Sequence, residues 1–475
     1  MRVFLSAGEP SGDHHAALVV EAIRRREPDA EFVGLGGPRM EAAGCRLLAD
    51  LTRLAVMWFL RAMVSIHRFV DLARRAERSF LDARPDVCVL VDFPGFHWWL
   101  AWRARRHGIP VVFYCPPQIW AWASWRKHKM RRLVDHVLAP LPFEHEWFVA
   151  QGIPATFVGH PFFDDAGHGA GHDGAPRPVV AVAGPPGAGD GRPLVLLLPG
   201  SRSQEIAANL PSLLRAAAAI RRRVPAAHFT VAVLHERHAA TARRMAVREP
   251  EAPVEIVAGR ARELMDGAAC AVAVSGSVSL ELLAARLPAV IVYRVSGLAW
   301  VVQSWFRHAR FITLVNLLAT AEPIGPVRPA FLPPRDVPPA DPEAVYPEYL
   351  AVADPADRVA GHVVEWLTDR EALGKVRRRV ADVAAAIDRP GSADRAAAAV
   401  LAIARARRRR DRRRARGGGC RGRRSRRLTP PRGRLGRAIP WIGRFAAGRG
   451  AGRPRRTGFR WRPPWTRGQG RRFHA

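Results

Sequence analysis

What most constrains this chain is an alternation, run through twice, of short near-continuous apolar runs with longer amphipathic stretches. Over the first 160 residues the apolar runs are 3–5, 32–35, 87–91 (VCVLV) and 111–114, and helical stretches cover 14–26, 68–83 and 98–107. A strand apolar on both faces must be covered on both, which selects a parallel sheet flanked by helices over a half-wet antiparallel one. The alternation stops at 165–192, rich in Gly, Ala and Pro, which reads as a linker or a long surface insertion. It restarts with strands at 194–198 (LVLLL), 229–234, 254–257, 270–274 and 290–293 and helices at 204–223, 238–248 and 279–285. The fold class is therefore α/β, two doubly wound units at 1–164 and 193–345. Their carboxyl strand ends should face a cleft, where ligands bind in such folds.

Residues 321–347 are Pro-dense and read as a loop. A helical segment is expected over 346–404 and a low-complexity basic tail over 405–475, too poor in apolar residues to bury a core. The formal charge of +33 on 475 residues invites a nucleic-acid reading, but its distribution argues otherwise. Residues 401–475 hold 27 of the 75 Lys and Arg and one of the 42 acids (Asp411), which leaves 48 basic and 41 acidic groups in the first 400. The excess belongs to the tail and says little about the folded body. Three readings of the tail stand: an arm attracted to anionic lipid, a nonspecific nucleic-acid arm, or translation past the true end of the protein. The five cysteines are scattered without CxxC spacing, which favours a reducing compartment over a disulfide framework or zinc site. The opening apolar run is too short for a secretory signal, and no uninterrupted apolar stretch is long enough to span a bilayer.

Four strand ends carry the candidate chemistry. Gly200-Ser201-Arg202 follows a buried strand and opens a helix, so free backbone N–H groups and a guanidinium could meet a phosphate or diphosphate; an ordinary turn with a surface Arg is the competing account. Ser275-Gly276-Ser277 is a second junction of the same kind, and Glu281 beyond it could accept from sugar hydroxyls or simply favour the helix dipole. In the first unit, Glu9 and Asp13 follow the first strand, without the lysine of a nucleotide-binding loop or GxGxxG spacing. Asp92 ends VCVLV, well placed as a general base towards a hydroxyl, or as a turn residue before Pro94. Residues 54–70 interleave apolar side chains with Arg61, His67 and Arg68 and could lie on a bilayer, or form a core helix with surface cations. Scattered histidines lack the paired spacing of a metal site.

Taken together, these segments resemble the lipid-A-disaccharide synthase family. The resemblance is carried by SAGEPSGD (6–13), DFPGF (92–96), PPQIWAW (116–122), PFE (142–144), VGHPFFD (158–164), LLPGSRSQEI (197–206), SGSVSLE (275–281), YRVS (293–296) and FITLVNLLA (311–319), in order over roughly residues 1–400. It implies a GT-B architecture, two Rossmann-like domains facing a cleft; the basic C-terminal tail, expected from its composition to be disordered, has no counterpart in the family. The implied reaction joins UDP-2,3-diacylglucosamine to 2,3-diacylglucosamine 1-phosphate, inverting, without cofactor or metal, to give the β-1,6 disaccharide and UDP. On that resemblance Asp92 is the base, with Glu9 orienting the acceptor or serving as an alternative base. Ser11, Gly12 and Asp13 contact the acceptor. Gly200, Ser201, Arg202, Ser275, Gly276 and Ser277 hold the diphosphate, while Glu281 and Asn316 fix the donor. The implied location is the cytoplasmic face of the inner membrane, as a peripheral protein, with room for a homodimer. Pro10, Ser277, Trp58, Arg61 and Ala351 depart from the family's usual residues. The competing readings are another GT-B UDP-sugar transferase with a lipid-linked acceptor, and a nucleic-acid-binding protein working through the tail.

Overall fold

Two parallel sheets organise the chain. The computed structural model describes residues 1–55, 66–164, 187–188, 192–276, 278–387 and 389–417. The first sheet holds β1 (Arg2–Ala7), β2 (Glu31–Gly36), β3 (Arg46–Asp50), β4 (Val87–Val91), β5 (Val111–Tyr114), β6 (His136–Ala139) and β7 (Ala155–Phe157), in the spatial order β3-β2-β1-β4-β5-β6-β7. After a two-residue strand, β8 (Gly187–Ala188), the second sheet follows with β9 (Arg192–Leu198), β10 (His228–Val233), β11 (Glu255–Ala258), β12 (Cys270–Val274), β13 (Ala289–Arg294) and β14 (Glu348–Ala351). Its order is β11-β10-β9-β12-β13-β14, with β8 antiparallel on β9. Both sheets thus reverse direction of growth beside their first strand, between β1 and β4 and between β9 and β12. Such a switch point opens a crevice at the carboxyl edge.

The central strands β4, β5 and β12 are buried along their whole length, as continuous apolar runs require. The short strands β3, β6, β7 and β14 escape the sequence pattern because two or three apolar residues, partly exposed in β3, β7 and β14, do not distinguish a strand from a turn. Residues 321–347 contain no helix, as their proline density predicts. The expected linker at 165–192 and membrane-facing stretch at 54–70 lie largely outside the described residues; the described parts of the latter fall in the helices Thr52–Ala55 and Ile66–Asp82.

The C-terminal helix Ser392–Gly417 returns to the first sheet, packing against the helix Pro10–Arg26. Asp164 fixes its start: one carboxylate oxygen accepts from Gly391 N at 2.7 Å and Ser392 N at 2.8 Å, and the other from Ser392 Oγ at 2.7 Å and Ala393 N at 2.8 Å. A carboxylate on a helix's first free amides satisfies those donors and opposes the helix dipole. The helix continues through 405, where a tail was expected to begin, as far as Gly417. Arg408 pairs with Asp86 at 2.8 Å and Arg405 with Glu27, so part of the basic run is helical and docked. The remainder, from 418, lies outside the described residues.

Candidate active site

In the first sheet the pairing Ala7↔Val91 sets the ends of β1 and β4 side by side, so Glu9 and Asp92 emerge together at the crevice. Gly8 is required there, because a Cβ would stand 2.2 Å from the Phe93 ring. Asp92 and Phe93 both adopt left-handed backbone, φ 53° and 45°, and Cys115 at the end of neighbouring β5 does the same at 49°. Three such non-glycine residues at adjoining strand ends hold backbone strain that the surrounding packing must enforce. His97 supplies part of that enforcement. Its buried ring places Nδ1 2.6 Å from the Asp92 carbonyl oxygen and Nε2 2.9 Å from Ser6 Oγ. A carbonyl only accepts, so Nδ1 carries the hydrogen and the Ser6 hydroxyl donates to Nε2. Burial pushes the imidazole down to about 4, which keeps it neutral. Burial, with the nearby Glu9 charge, pushes the Asp92 carboxyl up to about 6, a value suited to accepting a proton near neutrality.

Behind these residues Trp120 Nε1 donates to Glu144 Oε1 at 2.9 Å, inside the core. Burial pushes this carboxyl up to about 8, and its second oxygen is buried with no hydrogen-bond partner among the described residues. Neither His97 nor Glu144 stands out as a site residue by sequence pattern. The available signals are a histidine within the otherwise apolar FHWWL and an acid next to Phe143 in the aromatic-bounded PFEHEWF.

The three other acceptor-side residues, Ser11, Gly12 and Asp13, stand in different surroundings. Asp13 is buried and its carboxylate accepts from Gly37 N at 2.7 Å, Arg39 N at 3.0 Å and Met40 N at 3.2 Å. It thereby caps the helix Pro38–Ala42. Gly12 is buried against β4, whereas Ser11 is exposed on the first turn of the helix.

The second sheet repeats the plan. The pairing Ala273↔Leu198 brings the loop at Gly200 beside the loop at Ser275. Gly200 takes φ 117°, and a Cβ there would stand 2.7 Å from the Glu205 side chain. The expected anion cradle does hold an anion, but an internal one. The Glu205 carboxylate accepts from Ser201 N at 3.0 Å and Arg202 N at 3.3 Å, and pairs with Arg202 Nη1 at 3.2 Å. Ser275 donates through Oγ to Ile312 O at 3.3 Å, Gly276 is exposed, and Ser277 lies outside the described residues. Glu281 sits on the first turn of the helix Val278–Ala284, half-buried, and burial pushes its carboxyl upward.

Asn316, expected to fix the donor, is buried with its whole amide engaged. Oδ1 accepts from Val345 N and Tyr346 N, each at 2.9 Å, and Nδ2 donates to Tyr346 O at 2.8 Å and Glu348 Oε2 at 2.9 Å. All four hydrogen-bonding positions are filled by the protein's own groups, Glu348 among them. Glu348 in turn accepts from Ile312 N at 2.7 Å and from Thr313 N and Oγ1 at 3.1 and 2.8 Å, fixing the loop that faces Ser275.

Similarity to known proteins agrees with this geometry. A family model described as lipid-A-disaccharide synthetase matches residues 3–326. A lipid-A-disaccharide synthase of Anaeromyxobacter sp. (strain K) is 32% identical over 400 residues, covering 84% of this chain and 97% of that protein. One from Solibacter usitatus is 36% identical over 325 residues, covering 67% and 81%. Among solved structures, MurG of Acinetobacter baumannii superposes with TM-score 0.50 at 11% identity over 84% of this chain and 99% of that one. MnaA of S. aureus, solved with UDP, gives 0.50 at 10% identity, covering 83% and 94%. At such identity these two speak for the fold alone, and the fold is GT-B. With the family match running from β1 through β13 and the crevice loops between them, the chain belongs to the lipid-A-disaccharide synthase family and is a disaccharide-forming glycosyltransferase.

Proposed function

We propose that this chain transfers 2,3-diacylglucosamine from its UDP derivative to the 6-hydroxyl of 2,3-diacylglucosamine 1-phosphate at the cytoplasmic face of a membrane. The observation that carries the chemistry is Asp92, half-buried at the β4 end with its carboxyl raised to about 6 and its backbone held by neutral His97. The acceptor oxygen attacks the anomeric carbon from the face opposite UDP and its proton passes to Asp92. As the new C–O bond forms, the bond from that carbon to the diphosphate oxygen breaks and UDP departs, which inverts the centre. Glu9 faces the same crevice and orients the acceptor. Charge growing on the leaving diphosphate is met by the amides of Ser201 and Arg202, by the Arg202 guanidinium and by the Ser275–Gly276 turn, donors that gain most as that charge develops.

The relatives' names support a lipid A disaccharide product, and the acyl groups of such substrates support work at a membrane surface. Among the described residues no helix is long and apolar enough to cross a membrane. The test is incubation of the purified chain with both diacylated sugars, with product followed by mass and UDP by release. Disaccharide and UDP in equal amounts are expected, surviving EDTA, with Asp92→Asn and Arg202→Ala each losing most of the rate. Turnover only with other UDP-sugars, or unimpaired turnover by Asp92→Asn, would overturn the assignment.

A further inference from the structure

The helix Gly297–Phe306 (GLAWVVQSWF) contains no ionisable residue, and none of its residues is buried. A helix this apolar ordinarily turns its apolar stripe inward. Here the outward stripe itself is apolar: Leu298, Val302, Trp305 and Phe306, at helical spacing, are 77, 50, 41 and 49% exposed. The patch extends in two directions. Trp305 packs edge-on against Phe331, 5.1 Å between ring centres, and its Nε1 donates to Ala330 O, which pins the loop that presents Phe331 and Leu332 to solvent. On the other side Phe306 meets Trp125 of the first domain at 6.3 Å. The helix follows β13 and Trp125 follows β5, so both parts of the patch lie at the carboxyl edges of the sheets, the edges that carry the crevice loops.

From this arrangement we infer that the Gly297–Phe306 helix, with Phe331 and Trp125, is a docking surface for an anionic bilayer. It extends the membrane-surface reading above to a particular face of the second domain. An exposed apolar area of this kind marks a contact, and the surrounding charge selects the partner. Residues 118–132 contain Arg126, Lys127, Lys129, Arg131 and Arg132 and no acid, and Arg307 directly follows Phe306, whereas Arg310 is paired with Asp341 and Glu343 and Arg294 donates to Ser212 and Val352. Two copies of the chain meeting through this face would bring like charges together. Anionic headgroups would complement them while the aromatic rings enter the boundary layer, the arrangement of interfacial protein surfaces. Placement at the crevice edge lets an acylated sugar reach the site without leaving the lipid.

The test is sedimentation of the full chain with phosphatidylcholine vesicles, with and without phosphatidylglycerol, at low salt and at about 1 M salt, where screening leaves a range of only ~3 Å. High salt removes attraction due to the basic tail and leaves apolar insertion. Leu298→Ser/Val302→Ser/Phe331→Ser is compared with wild type and with Leu81→Ser/Leu234→Ser/Val247→Ser, which alters exposed apolar side chains elsewhere. We expect the first triple variant to lose about tenfold in high-salt partitioning, the control variant to bind as wild type, and all three to have one solution mass. Transfer assayed in detergent micelles should stay near wild type in both variants, which separates this inference from the catalytic assignment. Equal partitioning of the first variant and wild type would overturn it, as would absence of wild-type binding, or a wild-type oligomer that the first variant dissociates.

Discussion

His97 holds Asp92 from behind, its Nδ1–H 2.6 Å from the Asp92 carbonyl oxygen and its other nitrogen on the Ser6 hydroxyl. The contact is to backbone, so His97 sets where the carboxylate stands without touching a substrate. His97→Phe fills the space and removes both bonds, freeing Asp92 to leave its left-handed conformation. The expected result is a fall in kcat of about 10- to 100-fold with KM little changed, since small displacements of a reacting group cost that much. Steady-state kinetics check it, with circular dichroism to establish folding; a parallel rise in KM would point to damage of the acceptor pocket as a whole.

The same carboxylate sets a pH dependence. Asp92 must be ionised to accept a proton, and burial with the Glu9 charge raises it to about 6. The acidic limb of kcat/KM should therefore bend near pH 6, falling about tenfold per unit below that. Glu9→Gln deletes a negative neighbour, so ionisation becomes easier and the limb moves to lower pH. An unmoved limb in Glu9→Gln would assign it to another group.

Glu144 makes a prediction about stability. Its folded-state carboxyl is raised to about 8, far above its unfolded value, so between pH 5 and 8 the folded state holds a proton that the unfolded state lacks. Stability from this group is full below the unfolded value and declines as pH rises towards 8. Glu144→Gln retains an acceptor for Trp120 and cannot ionise. It should gain about 4 kcal/mol at pH 8 relative to wild type and converge on it near pH 4. Urea titrations at several pH values measure the difference.

How much of this could be read before the structure follows from physics particular to each residue. The double alternation of buried strands was legible because a parallel sheet writes its central strands as unbroken apolar runs, VCVLV and LVLLL. The strand ends carrying Asp92, Glu9 and Gly200 were legible for the same reason, since a strand's end is where its apolar run stops. The anchoring of Asp13 and Asn316 was not legible, because a motif does not say whether a polar side chain also meets the protein's own amides. In both cases backbone N–H groups distant in sequence, at Gly37–Met40 and Val345–Tyr346, claim the side chain. His97 went unseen because its partners are a carbonyl and a serine from another strand, neither of which leaves a local pattern.

Asp164, at the close of the first unit, anchors the C-terminal helix, and its removal should show as stability rather than chemistry. Asp164→Ala strips four acceptor contacts from the first turn of the helix Ser392–Gly417. A lost helix cap costs about 1–2 kcal/mol, and the buried donors left unpaired bring this one to the upper end or beyond. Thermal unfolding should shift down accordingly. Hydrogen exchange should rise first in this helix and in the Pro10–Arg26 helix beneath it, with little change in the second sheet.

Glu205 poses the sharpest question about donor binding. Its carboxylate lies on the amides of Ser201 and Arg202 and on the Arg202 guanidinium, the donors a diphosphate would use. It must therefore yield or share them when UDP binds, and its charge opposes the incoming phosphates. Glu205→Gln keeps the size and the acceptor oxygen but removes the charge. UDP should bind it about 3- to 10-fold more tightly, the gain shrinking as salt rises. Glu205→Ala removes the charge and the cap together, loosening the start of the helix Ser203–Arg223 by about 1 kcal/mol, so its gain should be smaller. Isothermal titration of UDP into the three proteins orders them. If both variants bind more weakly than wild type, Glu205 shapes the loop for the diphosphate and does not compete with it.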